Sequence, residues 1–348
     1  MAEPGRTLRA WVSASGQWSI RSMPAAGLWM GLLAAHLWAQ GPVAAPPGTV
    51  DASDRTGQSI GIEWPAGEDL FPDEPEPRLQ GRANRSEAAA KALGKPPKGS
   101  PKAIKALYRA ARKGSAEAQY NLGFYFSTGE LVAEDDALAV KWYELAAEKG
   151  LVMAQANLAL MYDLGEGVPE DNGRAAKWYL MAARGGSALA QVNVARLYSL
   201  GSGVLQNHAQ AVRWYTEAAK QGSVMAYYNL ALKFATGDGV PTDYERALNW
   251  YTFAAAKGHA KAQHNLAVMY GNGDGVDQND EESVKWHRRA AEQGLAEAQF
   301  AMAAKYREGK GVGKDLSAAR DWASRAAAQG HDQARLMHAV LEERMSGK

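Results

Sequence analysis

A motif that recurs every 36 residues constrains the fold of this chain more than any other feature of its sequence. Glycine opens each unit and defines offset zero, tryptophan recurs at offset +28, and no unit contains an insertion. A constant period of this length indicates one supersecondary element per unit, stacked on the next. The opening glycines are Gly114, Gly150, Gly186, Gly222, Gly258, Gly294 and Gly330, and the tryptophans are Trp142, Trp178, Trp214, Trp250, Trp286 and Trp322.

Each unit contains two stretches with the periodicity of an amphipathic helix. Small or apolar residues at offsets +4, +8 and +12 share one helical face, which predicts helix A over +2 to +14. Glycine at +15 predicts a left-handed C-cap, and aspartate or asparagine at +21 predicts the N-cap of helix B. A single hairpin cannot bury the apolar faces of both helices. The sequence therefore predicts an all-α fold, an α/α superhelical solenoid of 36-residue helix-turn-helix repeats.

The repeats place the folded part of the chain at residues 101–348. Residues 101–113 match helix B without its tryptophan and form a leading half-repeat, and residues 114–329 contain six repeats. Residues 330–348 match a final helix A that caps the stack. These terminal units depart most from the motif, as is expected of units that cap a repeat array.

The N-terminal 39 residues have the pattern of a secretory signal peptide. Three arginines, at positions 6, 9 and 21, precede an uncharged run over residues 25–38, and the small residue Ala39 follows. The run is shorter than the ~20 residues that a membrane span requires. We predict cleavage between Ala39 and Gln40, and an uncleaved membrane anchor is the alternative.

Residues 40–100 are rich in proline and lack apolar periodicity. Such a stretch has too little apolar surface to offset the entropy of ordering. We predict a disordered linker, apart from one possible helical piece at residues 82–93.

The composition and the motifs argue against several classes of function. The 39 lysines and arginines face 38 aspartates and glutamates, so the basic excess of a nucleic-acid-binding protein is missing. The absence of cysteine excludes disulfides, thiolate catalysis and Cys-ligated zinc. His259 and His264 lie five residues apart, which does not suit two ligands on one helical face, and His287 replaces a packing tyrosine at +29. We expect no catalytic residues, no metal site and no cofactor.

The repeat resembles the Sel-one-like repeat, a relative of the tetratricopeptide repeat. The resemblance covers residues 101–345 and rests on segments such as Gly258-His-Ala-Lys-Ala-Gln-His-Asn-Leu-Ala-Val-Met-Tyr, then Gly273-Asp-Gly-Val, then Trp-x-x-x-Ala-Ala-x-x-Gly. Repeat one departs from it, with Leu131 in place of the second turn glycine. The resemblance implies a superhelical adaptor, and similar bacterial members act in the periplasm or outside the cell, in envelope signalling, polysaccharide production or contact with host proteins. Members described as penicillin-binding carry a disulfide in each repeat, so this cysteine-free chain is a poor match to them.

Helix A has a second face, at offsets +3, +6, +10, +13 and +14, which points away from the core. By analogy with tetratricopeptide repeats we expect it to line the concave surface, and its residues vary between repeats while the core residues do not. Aromatic and arginine side chains are frequent at binding hot spots, and Arg196 suits an acidic group of a ligand. The alternative is that individual residues pack on neighbouring repeats. The predicted partner-binding residues are Tyr120, Phe124, Arg196, Tyr228, Lys261, Phe300 and Arg307.

Asparagine recurs on helix A at +7, at the border between the core and the concave face. Its amide could satisfy backbone groups between adjacent repeats. Alternatively, the asparagines could form a ladder that holds the backbone of an extended peptide. The sequence leaves both interpretations open for Asn121, Asn157, Asn193, Asn229 and Asn265.

These features predict a non-enzymatic protein-binding scaffold or adaptor of the bacterial envelope or exterior, with a partner polypeptide in the concave groove. We expect a periplasmic or secreted protein, and the alternatives are an inner-membrane-anchored protein and a cytoplasmic adaptor. A cell-wall or carbohydrate-acting protein is a further alternative, but it would need paired acids, and the concave acids are scattered. The expected partner is another protein or peptide segment, without nucleic acid or small-molecule cofactor, and with membrane contact only through an uncleaved N-terminal segment.

Overall fold

The structure, a computed structural model, describes residues 83–346 of the chain. These residues form 15 α-helices and no β-strand, which confirms the predicted all-α class. None of the described helices is both long and apolar enough to cross a membrane. The helices are α1 (Ala83–Ala92), α2 (Lys102–Arg112), α3 (Ala116–Thr128), α4 (Asp136–Ala147), α5 (Val152–Leu164), α6 (Asn172–Arg184), α7 (Ala188–Leu200), α8 (His208–Lys220), α9 (Val224–Thr236), α10 (Tyr244–Ala256), α11 (Ala260–Asn272), α12 (Asp280–Glu292), α13 (Ala296–Glu308), α14 (Leu316–Ala328) and α15 (Asp332–Met345).

The described residues fall into two compact units, residues 83–206 and residues 207–346. The first unit contains α1 to α7 and the second contains α8 to α15. Within each unit, every helix packs on the helices that precede and follow it in the chain. Each unit is therefore a stack of successive helices, as a repeat fold requires.

The ends of the helices lie where the motif predicts them. Helix A runs from +2 to +14 in all six repeats, and the glycine at +15 that ends it has a φ between 68° and 84°. At its start, the hydroxyl of Ser115 accepts a hydrogen bond from the backbone N–H of Ala118 at 3.2 Å. Helix B begins after the predicted cap at +21, where, for example, the carboxylate of Asp171 accepts from the backbone N–H of Arg174 at 2.9 Å. The predicted caps are thus confirmed.

The core combines small alanines with one larger side chain from each helix A. The residue at +8 is at most 1% exposed in every repeat, and alanine at +32 is fully buried throughout. The tryptophans at +28 divide into a buried group and a half-buried group. Trp142, Trp214 and Trp250 are buried, whereas Trp178, Trp286 and Trp322 are half-buried.

In five of the six repeats, a glutamine at +5, to which the sequence analysis assigned no role, joins helix A to the helix B before it. The side chain of Gln191, at +5, donates from Nε2 to the carbonyl of Ala183 at 3.2 Å. Repeat four replaces this glutamine by Tyr227, whose ring stacks on Trp250 at 5.7 Å. The same amide-to-carbonyl bond, at 3.1–3.2 Å, is made by Gln119, Gln155, Gln263 and Gln299.

The second turn glycine, at +17, allows adjacent repeats to approach closely. A Cβ atom added at Gly203 would lie 2.0 Å from the carbonyl oxygen of Asn172, the first residue of α6. Repeat one has Leu131 here, and the residue 31 positions earlier, Ser100, precedes α2 rather than starting it. The other four +17 glycines, Gly167, Gly239, Gly275 and Gly311, make the same approach to the first residue of the preceding helix B.

The first described helix lies within the stretch predicted as a linker, at the one piece for which the sequence allowed a helix. Helix α1 occupies the piece predicted at residues 82–93, and it packs on α2 and α4. Ala90 is fully buried, so α1 contributes to the packed structure. The rest of the predicted linker, residues 40–82, and the predicted signal peptide lie outside the described residues.

The second unit contains one buried histidine, His287, and the half-buried His259 and His264. His287 is 3% exposed, its Nδ1 donates to the carbonyl of Ser283 at 3.0 Å, and its ring meets that of His264 edge-on at 5.1 Å. Burial, with a smaller contribution from His264, lowers the pKa of His287 to about 3. His259 caps α11 by accepting from the backbone N–H of Ala262 at 3.1 Å, and burial lowers its pKa to about 4. These contacts agree with a packing role for His287.

Alanine substitutions at two glycines of the first unit should distinguish the free-energy cost of backbone strain from the cost of disturbing the close approach between repeats. Gly186 and Gly203 have φ values of 89° and 71°, so alanine at either should destabilise by ~1–2 kcal/mol. No atom lies within 4 Å of a Cβ added at Gly186, whereas Gly203→Ala must also displace the α6 backbone, for a further ~1–3 kcal/mol. Urea unfolding of the two variants measures the difference. Equal losses would contradict a role for the close approach.

A second prediction concerns pH. The unfolded chain protonates His287 near pH 6.5, whereas the folded chain keeps it neutral down to pH about 3. The unfolded state therefore binds more protons between these values, and the stability of the fold falls as the pH is lowered from 7 towards 4. His287→Tyr removes this titrating group. The free energy of unfolding of the variant, expressed relative to that of the original chain, should therefore be ~2 kcal/mol higher at pH 5 than at pH 7.5.

Urea unfolding at pH 7.5 and pH 5 measures this difference. His338→Tyr, a change at a half-buried position of α15, serves as the control. The linkage is refuted if the original chain and the His287→Tyr variant lose stability in parallel.

Candidate functional site

The helix A face consists of offsets +3, +6, +7, +10, +13 and +14, opposite the buried residue at +8. It is formed by α3, α5 and α7 in the first unit and by α9, α11, α13 and α15 in the second. In the six repeats, helix A starts and ends at the same offsets, so equivalent residues recur at the same place on each helix. This face carries the residues that the sequence analysis assigned to partner binding.

In the first unit, the helix A face exposes apolar side chains. At +3, Met153 is 38% exposed on α5 and Leu189 is 45% exposed on α7. Phe124 and Leu160, at +10, are half-buried on α3 and α5. Leu200, at +14, is 40% exposed. Exposed apolar side chains that recur at one register indicate a surface that another molecule covers.

The two predicted tyrosines at +6 are packed rather than free. Tyr120 and Tyr228 are each 6% exposed. Their rings lie 5.7 Å from Tyr143 and 6.0 Å from Tyr251, which come from helix B of the same repeat. The sequence analysis placed these side chains on the face that points away from the core, and the structure instead buries them. Burial raises the pKa of both, and their part in partner binding stays a prediction.

Two of the +7 asparagines complete polar clusters with these tyrosines. Nδ2 of Asn157 donates to the hydroxyl of Tyr143 at 3.2 Å, beside Tyr120. Three repeats later, Nδ2 of Asn265 donates to the hydroxyl of Tyr251 at 2.9 Å. Each of these two asparagines thus donates to a tyrosine hydroxyl of the preceding repeat. The sequence analysis had considered backbone groups as the partners of the amide.

Two of the other asparagines bond within their own helix. Nδ2 of Asn193 donates to the carbonyl of Leu189 at 3.1 Å, and Nδ2 of Asn229 donates to Met225 at 2.8 Å. The repeat before Asn193 has Ala156 at +6, so it offers no second tyrosine ring. Asn121 is half-buried on α3. Four of the five amide nitrogens are bonded inside the chain, which favours the structural interpretation over a peptide ladder.

Arg196 already has an acidic partner inside the first unit. Its Nη2 forms an ion pair with the carboxylate of Asp163, at +13 of the preceding helix A. The side chains of Arg196 and Asp163 are 21% and 6% exposed. The sequence analysis matched Arg196 to an acidic group of a ligand, and inside the chain Asp163 already supplies such a group. Removing Arg196 would take an opposite charge away from a buried carboxylate and so disturb the fold, which makes this residue a poor probe of ligand binding.

In the second unit, the predicted residues differ in accessibility. Phe300 is half-buried, and its ring stacks on His331 at 4.7 Å. Lys261 is half-buried, and burial lowers its pKa, against the opposing effect of Glu297. Arg307 is exposed and forms an ion pair with Glu308 at 2.7 Å. Of the seven predicted residues, the structure leaves Arg307 most open to solvent.

The structure adds site residues that the sequence analysis missed. Met153 and Leu189 are aliphatic, whereas the predicted partner-binding residues are aromatic or charged. Their signal was nonetheless present in the sequence, since +3 is charged in repeats one, five and six and apolar in repeats two to four. In the described residues, no group of three histidine, aspartate or glutamate side chains is arranged to hold a metal ion.

The comparison with known proteins agrees with this architecture. The Sel1 repeat family matches six consecutive segments, residues 116–151, 152–187, 188–223, 224–259, 260–295 and 296–331. No curated protein matches the chain. Sel1 repeat proteins generally serve as scaffolds for interactions between proteins.

Two solved structures are similar over most of the repeat region. One is c5321, a protective antigen present in uropathogenic Escherichia coli strains, with 32% identity and a TM-score of 0.67 over 76% of this chain. This chain covers 58% of that antigen's chain. The other is a Sel1 repeat protein from Oxalobacter formigenes, with 34% identity and a TM-score of 0.62 over 76% of this chain and 79% of that one. Residues 116–331 show that this chain belongs to the Sel1 repeat family.

Proposed function

We propose that this chain is a non-enzymatic scaffold of the bacterial envelope or exterior that binds a partner polypeptide on the helix A face. The observation that supports this most is the recurrence of exposed apolar side chains at +3, Met153 and Leu189, in consecutive repeats of the first unit. A side chain at this offset is not needed for the core, because the opposite face of the helix supplies it. These residues are therefore available to a partner.

The chemistry of this face indicates the kind of partner. In the first unit, Arg196 and Asp163 neutralise each other, so the surface around them is mainly apolar. Such a surface suits the apolar face of an amphipathic helix, or an extended segment with apolar side chains, which helical grooves commonly bind. Membership of the Sel1 repeat family supports a protein as the partner. Because the helix A face of the first unit is mainly apolar, we infer that the partner binds through a segment with apolar side chains.

The placement in the envelope or exterior rests on the N-terminal sequence. Residues 1–39 combine basic residues, a short uncharged run and a small residue at the predicted cleavage site. These residues lie outside the described part of the chain. A cytoplasmic adaptor would retain them.

The binding proposal can be tested on the full chain in its native cell. A photo-crosslinking residue in place of Leu189 should capture the partner, which mass spectrometry then identifies. With the purified partner, Met153→Ser combined with Leu189→Ser should weaken binding about tenfold or more, because two apolar anchors are lost. Both side chains are exposed, so the melting temperature should change little.

Tyr244→Ser is the matched control, because Tyr244 is 47% exposed on helix B and lies outside the helix A face. It should leave the affinity unchanged. Unaltered binding by the double variant, or an equal loss with Tyr244→Ser, would place the binding surface elsewhere.

The export proposal has a separate test. A C-terminally tagged chain should be recovered from the periplasm or the medium, and N-terminal sequencing should give a start near Gln40. Recovery of the full-length chain in the cytosol would identify a cytoplasmic adaptor instead. The two tests are independent, since a cytoplasmic protein could still bind its partner on the helix A face.

A further inference from the structure

The first unit contains a cavity outside the helix A face. It has a volume of about 460 Å³ and lies between α6, α7 and the turn that follows α7. Its apolar lining includes Leu180 and Met181 from α6, Tyr198 from α7, and Val204 and Leu205 from the turn. A cavity with an apolar lining is the usual form of a site for an apolar side chain or ligand.

Leu205 is unusual for its position. It lies at +19, and its side chain is 91% exposed at the edge of the cavity. The other five repeats have no large aliphatic residue at this offset, but small, acidic or proline residues: Ala133, Pro169, Pro241, Asp277 and Gly313. The motif therefore does not require leucine here. A fully exposed leucine beside an apolar cavity is consistent with a contact to a bound segment.

The charge around the cavity is positive. Lys177 and Arg184, both on α6, belong to its lining. Helix α6 contains three basic residues and no acidic one. The cavity thus combines an apolar lining with two cations, which suits a peptide that has bulky apolar side chains next to carboxylates.

The chain itself contains a segment with this chemistry. Residues 68–77 read Glu-Asp-Leu-Phe-Pro-Asp-Glu-Pro-Glu-Pro, with five acidic residues and no basic one. Leu70 and Phe71 lie between acidic residues on both sides. The three prolines favour an extended peptide, which needs little further ordering to bind. These residues precede the described part of the chain.

The segment is long enough to reach the cavity. Phe71 is 12 residues before Ala83, the first residue of α1, and 12 extended residues span about 40 Å. Helix α1 packs on α4, and α5 and α6 follow α4 as successive packed helices. Packed helices lie about 8–10 Å apart, so the path from α4 to α6 is shorter than this reach. A tether of this length also gives the segment a high local concentration at the cavity.

We propose that residues 68–77 bind in the α6–α7 cavity of their own chain. Leu70 and Phe71 contact the apolar lining beside Leu205, and the flanking carboxylates lie towards Lys177 and Arg184. An external peptide of the same chemistry has to displace this segment before it can bind. The site is separate from the helix A face and does not depend on the proposed function.

The proposal can be tested with the photo-crosslinker p-benzoylphenylalanine at position 71 of the full chain. After irradiation, mass spectrometry should find crosslinks within one chain, concentrated in residues 176–205. Lys177→Glu combined with Leu205→Ser should reduce their yield about tenfold, because a cation and an apolar contact are both lost. Both residues are exposed, so circular dichroism should show an unchanged fold.

Lys141→Glu is the matched control, because Lys141 is an exposed lysine at the same offset as Lys177, on α4 of the preceding repeat. It should leave the crosslinks in place. Three results would overturn the proposal: crosslinks on the helix A face or scattered over the surface, crosslinks between two chains, or a yield that Lys177→Glu with Leu205→Ser does not change. A yield that falls equally with Lys141→Glu would also overturn it, since it would indicate attraction to the whole surface.

Discussion

The close approach of each second turn glycine to the helix B before it determines how adjacent repeats are spaced. At Gly203 the space for a side chain is already occupied by the backbone of Asn172, so only hydrogen fits. The contact recurs at every +17 glycine of repeats two to six. It joins backbone to backbone, and it therefore leaves the remaining side chains of each repeat free to vary. Because the spacing of the repeats depends on backbone contacts, 36-residue units with different surface residues keep the same helix bounds.

Side-chain contacts then add to this backbone register. The glutamine at +5 joins helix A to the helix B before it, and the asparagine at +7 joins successive repeats where tyrosines at +6 and +29 are both present. Where Ala156 replaces the tyrosine at +6, the following asparagine, Asn193, bonds its own helix instead. The polar groups of helix A are therefore largely engaged in structure. The side chains of helix A that remain accessible to solvent are the apolar ones at +3 and charged ones such as Arg307.

Features that depend on spacing along one helix could be predicted from the sequence. The helix bounds, the caps at +15 and +21 and the buried +8 stripe all follow from offsets within one repeat. Contacts between repeats could not be predicted in this way. The pairing of Arg196 with Asp163 joins different offsets of two helices, and the burial of Tyr120 depends on the angle between helices A and B. The glutamine at +5 was visible in the sequence, but periodicity alone does not identify the carbonyl that it bonds.

The single exception to the glutamine pattern among the six repeats affects how the stack responds to force. A hydrogen bond between an amide and a carbonyl is directional and weakens quickly when the two helices slide past each other. In α9, Tyr227 replaces the glutamine, and its ring contacts Trp250 and Phe253 of the following helix, α10, so the α8–α9 junction lacks this amide-to-carbonyl bond. Under tension along the stack, this junction would extend before those that a glutamine holds, and it would act as a point of elastic compliance.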